Sequence, residues 1–233
     1  MRKSVFICTA ILLFSLPLFA ADPAIGVSEF RNDTSAAWWS GGVGNDLAGM
    51  LSNELAATEK FRVVERSKLN AVLDEQDLAE SGRISKSTRA KVGKVTGAKY
   101  LVFATVSAFE NDVKGGGGGI SFRGINVGGK KEDAYIAVDL RVVDTDTGDI
   151  EFSRTVEARA SGGGLRLGLY RGGFGGNLDK YEKTPTGKAI RGVIIEIAEY
   201  LSCVMVDKGA CMDEYAAKES SRRAKTKKSI KLD

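Results

Sequence analysis

The sequence predicts an α+β fold in which a mixed β-sheet is flanked by helices. Three observations carry this. Residues 134–142 and 152–158 alternate apolar and polar side chains with a period of two, on either side of a turn. Other stretches repeat apolar residues at helical spacing, most clearly Ile190, Val193, Ile194, Ile197, Leu201 and Val204. The elements also come in the order strand, helix, strand, two helices, three strands, helix, which suits a sheet covered by helices rather than a bundle or a sandwich.

Ala24 to Phe30 is read as a first strand. Arg31 to Gly44 follows as a loop, polar except for Trp38 and Trp39. Leu47, Met50, Leu51 and Leu55 place a helix over 43–57. Phe61 to Glu65 is a second strand. Ser67 is read as the cap of a helix bearing Leu69, Val72 and Leu73. A further short helix is expected after Ser85, ending near Gly97. Tyr100 to Phe109 is apolar and β-branched on both faces, which predicts a central strand covered on both sides. Ala134, Ile136, Val138, Leu140 and Val142 then define a half-buried strand, Asp144 to Asp149 a turn, and Phe152, Val156 and Ala158 its antiparallel partner. Thr184 is the expected N-cap of the last helix, with Pro185 in its first position.

The ends of the chain read differently from its middle. Arg2 and Lys3 precede an apolar run from Val5 to Phe19, and Ala20-Ala21 suits cleavage, so residues 1–20 are expected to be a secretory signal peptide. Cys8 lies inside the apolar run, behind Phe6 and Ile7, and is read as part of that segment rather than as a lipid-attachment site. Residues 21–217 are assigned to the folded domain. In an oxidising compartment Cys203 and Cys211 can pair, and the Asp207-Lys208-Gly209 turn would bring the chain back; two unpaired thiols are the other reading. Residues 218–233 hold seven basic and two acidic residues and almost no large apolar ones, so they are expected to be a disordered tail or a frayed helix. That tail accounts for the positive balance and, lacking interleaved aromatics, does not indicate nucleic acid as a partner.

Few features point to catalysis. The chain has no histidine, which removes the usual general base and the commonest metal ligand. Its cysteines lack zinc-site spacing. Gly187-Lys188-Ala189 is not a phosphate loop, because position 182 is Glu and the following Ser or Thr is missing. Gly42-Val43-Gly44 lacks the third glycine of a dinucleotide fingerprint. Asp144, Asp146, Gly148 and Asp149 resemble half of a calcium loop, but a plain turn explains them. No cofactor, metal ligand or catalytic residue is assigned, and the chain is expected not to be an enzyme.

Two glycine-rich segments, 112–133 and 160–180, stand out. The first carries Ile120 and Phe122; the second carries Leu165, Leu167 and Leu169 on one face, with Arg166, Gly168 and Tyr170 on the other. Such alternation fits a strand of a membrane barrel with a watery lumen. It also fits surface loops weakened by glycine. Two hairpins cannot close a barrel alone, so insertion would require a ring of copies.

At this point the residues resemble the CsgG family, the outer-membrane secretion channel for curli subunits. The resemblance is most specific at Asn111-Asp112-Val113-Lys114 with the glycines after it, and at the Ile136–Asp144 strand followed by Thr147-Gly148-Asp149-Ile150. Phe30-Arg31-Asn32-Asp33-Thr34 and Val64-Glu65-Arg66 match the layout as well. It implies a ring-shaped homo-oligomer in which each subunit lends two hairpins to a shared barrel above a periplasmic vestibule. It further implies that the loop after the first strand, with Ala37, Trp38, Trp39 and Ser40, lines a constriction; the alternative is that both tryptophans fold onto the core. The expected partners are other copies of the chain, an exported polypeptide such as a fibre or adhesin subunit, outer-membrane lipid and accessory envelope proteins. A soluble periplasmic binding or assembly module without a pore is the alternative function.

Overall fold

The computed structural model describes residues 22–114, 120–122, 125–127, 131–161, 164–166 and 184–230. The expected signal peptide therefore lies outside the described residues. Strands β1 (Ala24–Val27), β2 (Arg31–Asn32), β3 (Arg62–Val64), β4 (Tyr100–Lys114), β7 (Lys131–Asp144), β8 (Ile150–Ser161) and β9 (Gly164–Arg166) form one sheet. Its order is β3-β1-β4-β7-β8-β9, with β2 also paired to β4. The β1–β3, β1–β4 and β2–β4 pairs are parallel, and the later pairs are antiparallel, so the sheet is mixed. A separate hairpin, β5 (Ile120–Phe122) with β6 (Ile125–Val127), lies within the first glycine-rich segment.

One face of the sheet carries the core. Val102, Ala104 and Val106 of β4 lie beside Val142, Leu140 and Val138 of β7, and all six are buried. Helix α3 (Pro185–Leu201) covers this face across β7 and β8 and touches α1 (Val43–Ala57). Its start is set by Thr184, whose hydroxyl accepts from the Gly187 N–H at 3.1 Å, and by Pro185, which has no N–H to satisfy there. Ile194, Ile197 and Leu201 are fully buried; each contributes about 1.5–3 kcal/mol relative to an exposed position. Helix α1 buries Leu47, Leu51 and Leu55 on the same side.

The antiparallel β7–β8 pair and the helical spans over 43–57 and from Pro185 agree with the sequence reading. Several other expectations are corrected. Only one face of β4 is covered, and Phe103 on the other face is 41% exposed; apolar residues on both faces did not require burial on both. The first strand stops at Val27, because the chain shifts sideways before Arg31 and Asn32 rejoin β4. Ser67 does not cap α2 (Leu69–Glu80): its hydroxyl donates instead to the Glu65 carboxylate at 2.7 Å, which also accepts from the Lys68 N–H. The stretch after Ser85 forms turns rather than a helix, and positive φ at Gly93 interrupts it.

The basic C-terminus takes the helical one of its two expected forms, but the helix begins well before 218: α4 runs from Cys211 to Ser229. Its start is pinned by a Cys203–Cys211 disulfide with Cα atoms 6.0 Å apart. A π-helical turn, Ser202–Asp207, and a left-handed Lys208 (φ 47°) turn the chain back between the two cysteines. Tyr215 then packs edge-on against Tyr200 of α3, with centroids 5.2 Å apart. Farther along, Lys218 pairs with Glu196 at 3.1 Å, and Glu219 holds both Arg222 and Arg223. Composition alone missed the start of this helix because a covalent tether and ion pairs replace the apolar stripe.

Residue Ser107 of β4 is an extra one. Val106 pairs with Val138 and Ala108 with Ala137, so β4 carries a bulge between them, after which pairing continues to Lys114 and Lys131.

Candidate functional site: an aromatic loop at the roots of two hairpin segments

The loop from Asp33 to Gly42 is anchored at both ends. The Asp33 N–H donates to the Val106 carbonyl at 3.0 Å, continuing the β2–β4 pairing. The Asn32 side-chain oxygen accepts from the Thr34 N–H at 3.0 Å and from its hydroxyl at 2.7 Å, while the Thr34 hydroxyl accepts from the Ala36 N–H. The Asn-x-Thr spacing therefore encodes a compact side-chain turn, a signal readable in the sequence. A Trp39 N–H to Ala36 carbonyl bond of 3.0 Å and a Val43 N–H to Ser40 carbonyl bond of 3.2 Å close the loop into α1.

The loop draws three aromatic rings together. Trp38 meets Trp39 and Phe109 edge-on, with ring centroids 5.5 Å away in each case. Both tryptophans are half-buried against the core, while Ala37 and Ser40 are exposed. The Trp38 Nε1–H is buried and has no hydrogen-bond partner. An open depression of about 500 Å³ beside it is lined by Ala36, Trp38, Phe109, Asn111 and Thr186. Phe109, Asn111 and Thr186 were not assigned to this loop from sequence, because only the fold brings β4 and the start of α3 to it.

Beside the loop, three strands end together. Lys114 of β4 pairs with Lys131 of β7, and Asp133 of β7 pairs with Ser161 of β8. The first glycine-rich segment therefore leaves the sheet at the end where the second begins, and the second turns back there as β9 along β8. Within the first, Ile120 and Phe122 belong to β5, which pairs with β6. Within the second, Leu165 lies in β9, where it pairs with Ala160; Leu167 and Leu169 lie outside the described residues. Cys203 and Cys211 are joined to each other and belong to the α3–α4 junction, separate from this loop.

At the opposite end of β4 and β7, the turn after β7 is organised by Lys99. Its ammonium meets Asp144 at 2.8 Å and Asp146 at 2.6 Å, and Asp144 also accepts from the Asp146 N–H at 2.8 Å. The acidic residues that resembled half a calcium loop thus grip a lysine. Gly44 likewise answers to packing: a Cβ there would collide with the Phe30 carbonyl oxygen and approach Glu29 Cγ to 2.8 Å. Among the described residues no group of three or more acidic or cysteine side chains could hold a metal, and no helix is long and apolar enough to cross a membrane.

Fold and site together define a mixed-sheet α+β domain with the starts of two glycine-rich segments and an aromatic loop at one end. The chain belongs to the CsgG family, described as the curli production assembly/transport component, whose family model matches residues 9–230. The curli production assembly/transport component CsgG of Citrobacter koseri is 26% identical over 169 residues, covering 68% of this chain and 61% of the relative. The chain thus spans about three-fifths of that curated relative's length. A candidate lipoprotein of Neisseria meningitidis serogroup B is 28% identical, covering 80% of this chain and 77% of its own. Among solved structures, a hypothetical protein of Chlamydia trachomatis matches 80% of this chain and 99% of its own with a TM-score of 0.47 at 11% identity.

Proposed function

We propose that the chain is a subunit of a homo-oligomeric outer-membrane channel that passes unfolded polypeptide, such as curli-like fibre or adhesin subunits, by passive gating rather than catalysis. In this reading the segments 112–133 and 160–180 insert as two β-hairpins per subunit, and many copies close one barrel in contact with outer-membrane lipid. The observation that carries it is a common end: β4 and β8 finish and β7 begins on the side where the aromatic loop sits. A channel needs its membrane ribbons and its narrowest point at the same end of the subunit, and this arrangement supports that. Ala37, Trp38, Trp39 and Ser40 then border the constriction, with Trp38 bracing the loop on Phe109 and Trp39 beside it. Ile120, Phe122, Leu165, Leu167 and Leu169 supply lipid-facing side chains, which alternation along a barrel strand requires. No cofactor is called for. Accessory envelope proteins are expected partners in delivering the polypeptide.

Electron microscopy of detergent-extracted protein tests the reading, together with conductance in planar bilayers. Rings with unit conductance steps are expected, and Trp39→Ala should enlarge the steps. A strictly monomeric protein that leaves with the osmotic-shock fluid and gives no conductance would replace the channel with a periplasmic assembly module.

A further inference from the structure

Most of the large apolar side chains exposed on the described surface lie in two groups, apart from Phe103 of β4 and Ile150 of β8. Val72, Leu73 and Leu78 of α2, with Val92 and Val95, stand at the β3 edge, each 40–46% exposed. Val206, Met212 and Ile230 stand on the π-turn and α4, each 36–49% exposed. The helices α2 and α4 carry opposite net charge, although Arg66, Lys91 and Lys94 line the groove beside α2. Helix α2 carries Asp74, Glu75, Asp77 and Glu80, all exposed, and no basic residue. On its inner flank a groove of about 410 Å³ is floored by Val64, Leu69, Val72 and Val95, with Lys91 and Lys94 on the far rim. The outward face of α2 is therefore acidic and apolar.

Beyond β8, α4 presents the complement. An open groove of about 480 Å³ runs between β8 and α4, where Arg154, Lys218, Arg222 and Lys225 face Glu157 and Glu196. Glu196 is already paired with Lys218, and Glu219 with Arg222 and Arg223. Among the described residues Lys225, Lys227 and Lys228 have no carboxylate partner within ion-pair distance, and the buried Arg154 Nε has no hydrogen-bond acceptor. Strands β1, β4 and β7 lie between β3 and β8, and the π-turn that precedes α4 reaches Lys60, just before β3, through Asp207 at 2.6 Å.

We propose that the acidic face of α2 docks into the basic groove between β8 and α4 of a second copy of this chain. The contact joins unlike surfaces, so it repeats head to tail and closes into a ring when the rotation per step completes a turn. Leu73 and Leu78 supply the apolar burial. The carboxylates of α2 and the free lysines of α4 select the partner and set the register, as charges at an interface do. The inference rests on the ring-forming channel reading and adds the surfaces that build the ring.

The test uses the full chain extracted in detergent. Asp74→Lys with Asp77→Lys, and separately Lys225→Glu with Lys228→Glu, should each lower the high-mass fraction on native gels by about fivefold at physiological salt. All four residues are exposed, and unchanged circular dichroism checks that folding is intact. Combining the two pairs restores opposite charge in reverse and should recover most of the assembly. Zero-length carbodiimide coupling of mixed heavy- and light-isotope protomers should yield α2–α4 peptides of mixed label. Rings that form and conduct without these cross-links, indifferent to both reversals, would overturn the docking and leave the channel standing. A wild-type chain that stays monomeric and non-conducting would remove both.

Discussion

Arg154 shows how a single side chain joins three elements. It projects from β8 on the helix-covered face, stacks 5.1 Å from the Tyr200 ring and 4.8 Å from the Tyr215 ring, and donates to the Tyr215 carbonyl at 3.2 Å. A cation held over aromatic faces away from water is stabilising, and its planar guanidinium suits two rings at once. Arg154→Ala should lower stability by about 2–3 kcal/mol, read from the urea midpoint, whereas Arg154→Met should cost less because it keeps the apolar stem. Lys99 gives a second prediction. Its hydrogen bond to Asp144 holds that carboxyl below the ordinary 3.8, and the same contacts raise the lysine. A depressed carboxylate contributes stability that is present above its unfolded value and is lost as pH falls through its folded value. The raised lysine contributes fully at neutral pH and loses its share only in strong base, as pH rises through its folded value. Asp144→Asn should therefore melt lower than the wild type near neutral pH, and the gap in melting temperature should close on acidification below the ordinary carboxylate range. A gap that stays constant across that titration would disprove the assignment.

Among the elements, those set by local pattern were legible and those set by contacts were not. The spans of α1 and α3 and the β7–β8 hairpin follow from periodicity and from Thr184-Pro185, which act within one turn. The missing helix after Ser85, the misread Ser67 cap and the early start of α4 all turn on partners distant in sequence or on competing side-chain bonds. The candidate site divides in the same way: the loop bearing Trp38 and Trp39 was visible, but its contact with Phe109 of β4 was not, since 71 residues separate them and only the β2–β4 pairing brings them close. Two predictions belong here. The Cys203–Cys211 bridge closes a loop with a separation of eight residues, for which chain entropy alone gives about 2–3 kcal/mol. Replacing both cysteines by alanine should thus lower the melting temperature by roughly 5–10 °C, with loss of α4 helicity preceding the main transition. Gly44→Ala should destabilise by about 1–3 kcal/mol, because the start of α1 must move off the Phe30 carbonyl. An alanine variant as stable as the wild type would refute that steric reading.

In the whole molecule, the sheet works as a distributor. One face is committed to α1 and α3, one end carries the starts of the glycine-rich segments and the aromatic loop, and the two edges hold helices of opposite charge. Family membership was legible from a few short motifs, which fall at the end of β4 and along β7 with the turn after it. The proposed contact between copies was not legible, since α2 and α4 come to flank the sheet only through the strand order.

The bulge at Ser107 separates heading from alignment in the long β4–β7 ribbon. Two residues, Ser107 and Ala108, stand opposite Ala137, so deleting Ser107 would leave every later pairing intact, with Phe109 still across from Ile136 and Lys114 still across from Lys131. What would vanish is the extra local twist that a bulge imparts. Each side chain would keep its neighbour and its face, yet the ribbon would aim elsewhere. Such a shortened chain should retain native circular dichroism, and in the proposed ring the angle between adjacent copies, and hence the number that complete a circle, should change in electron micrographs.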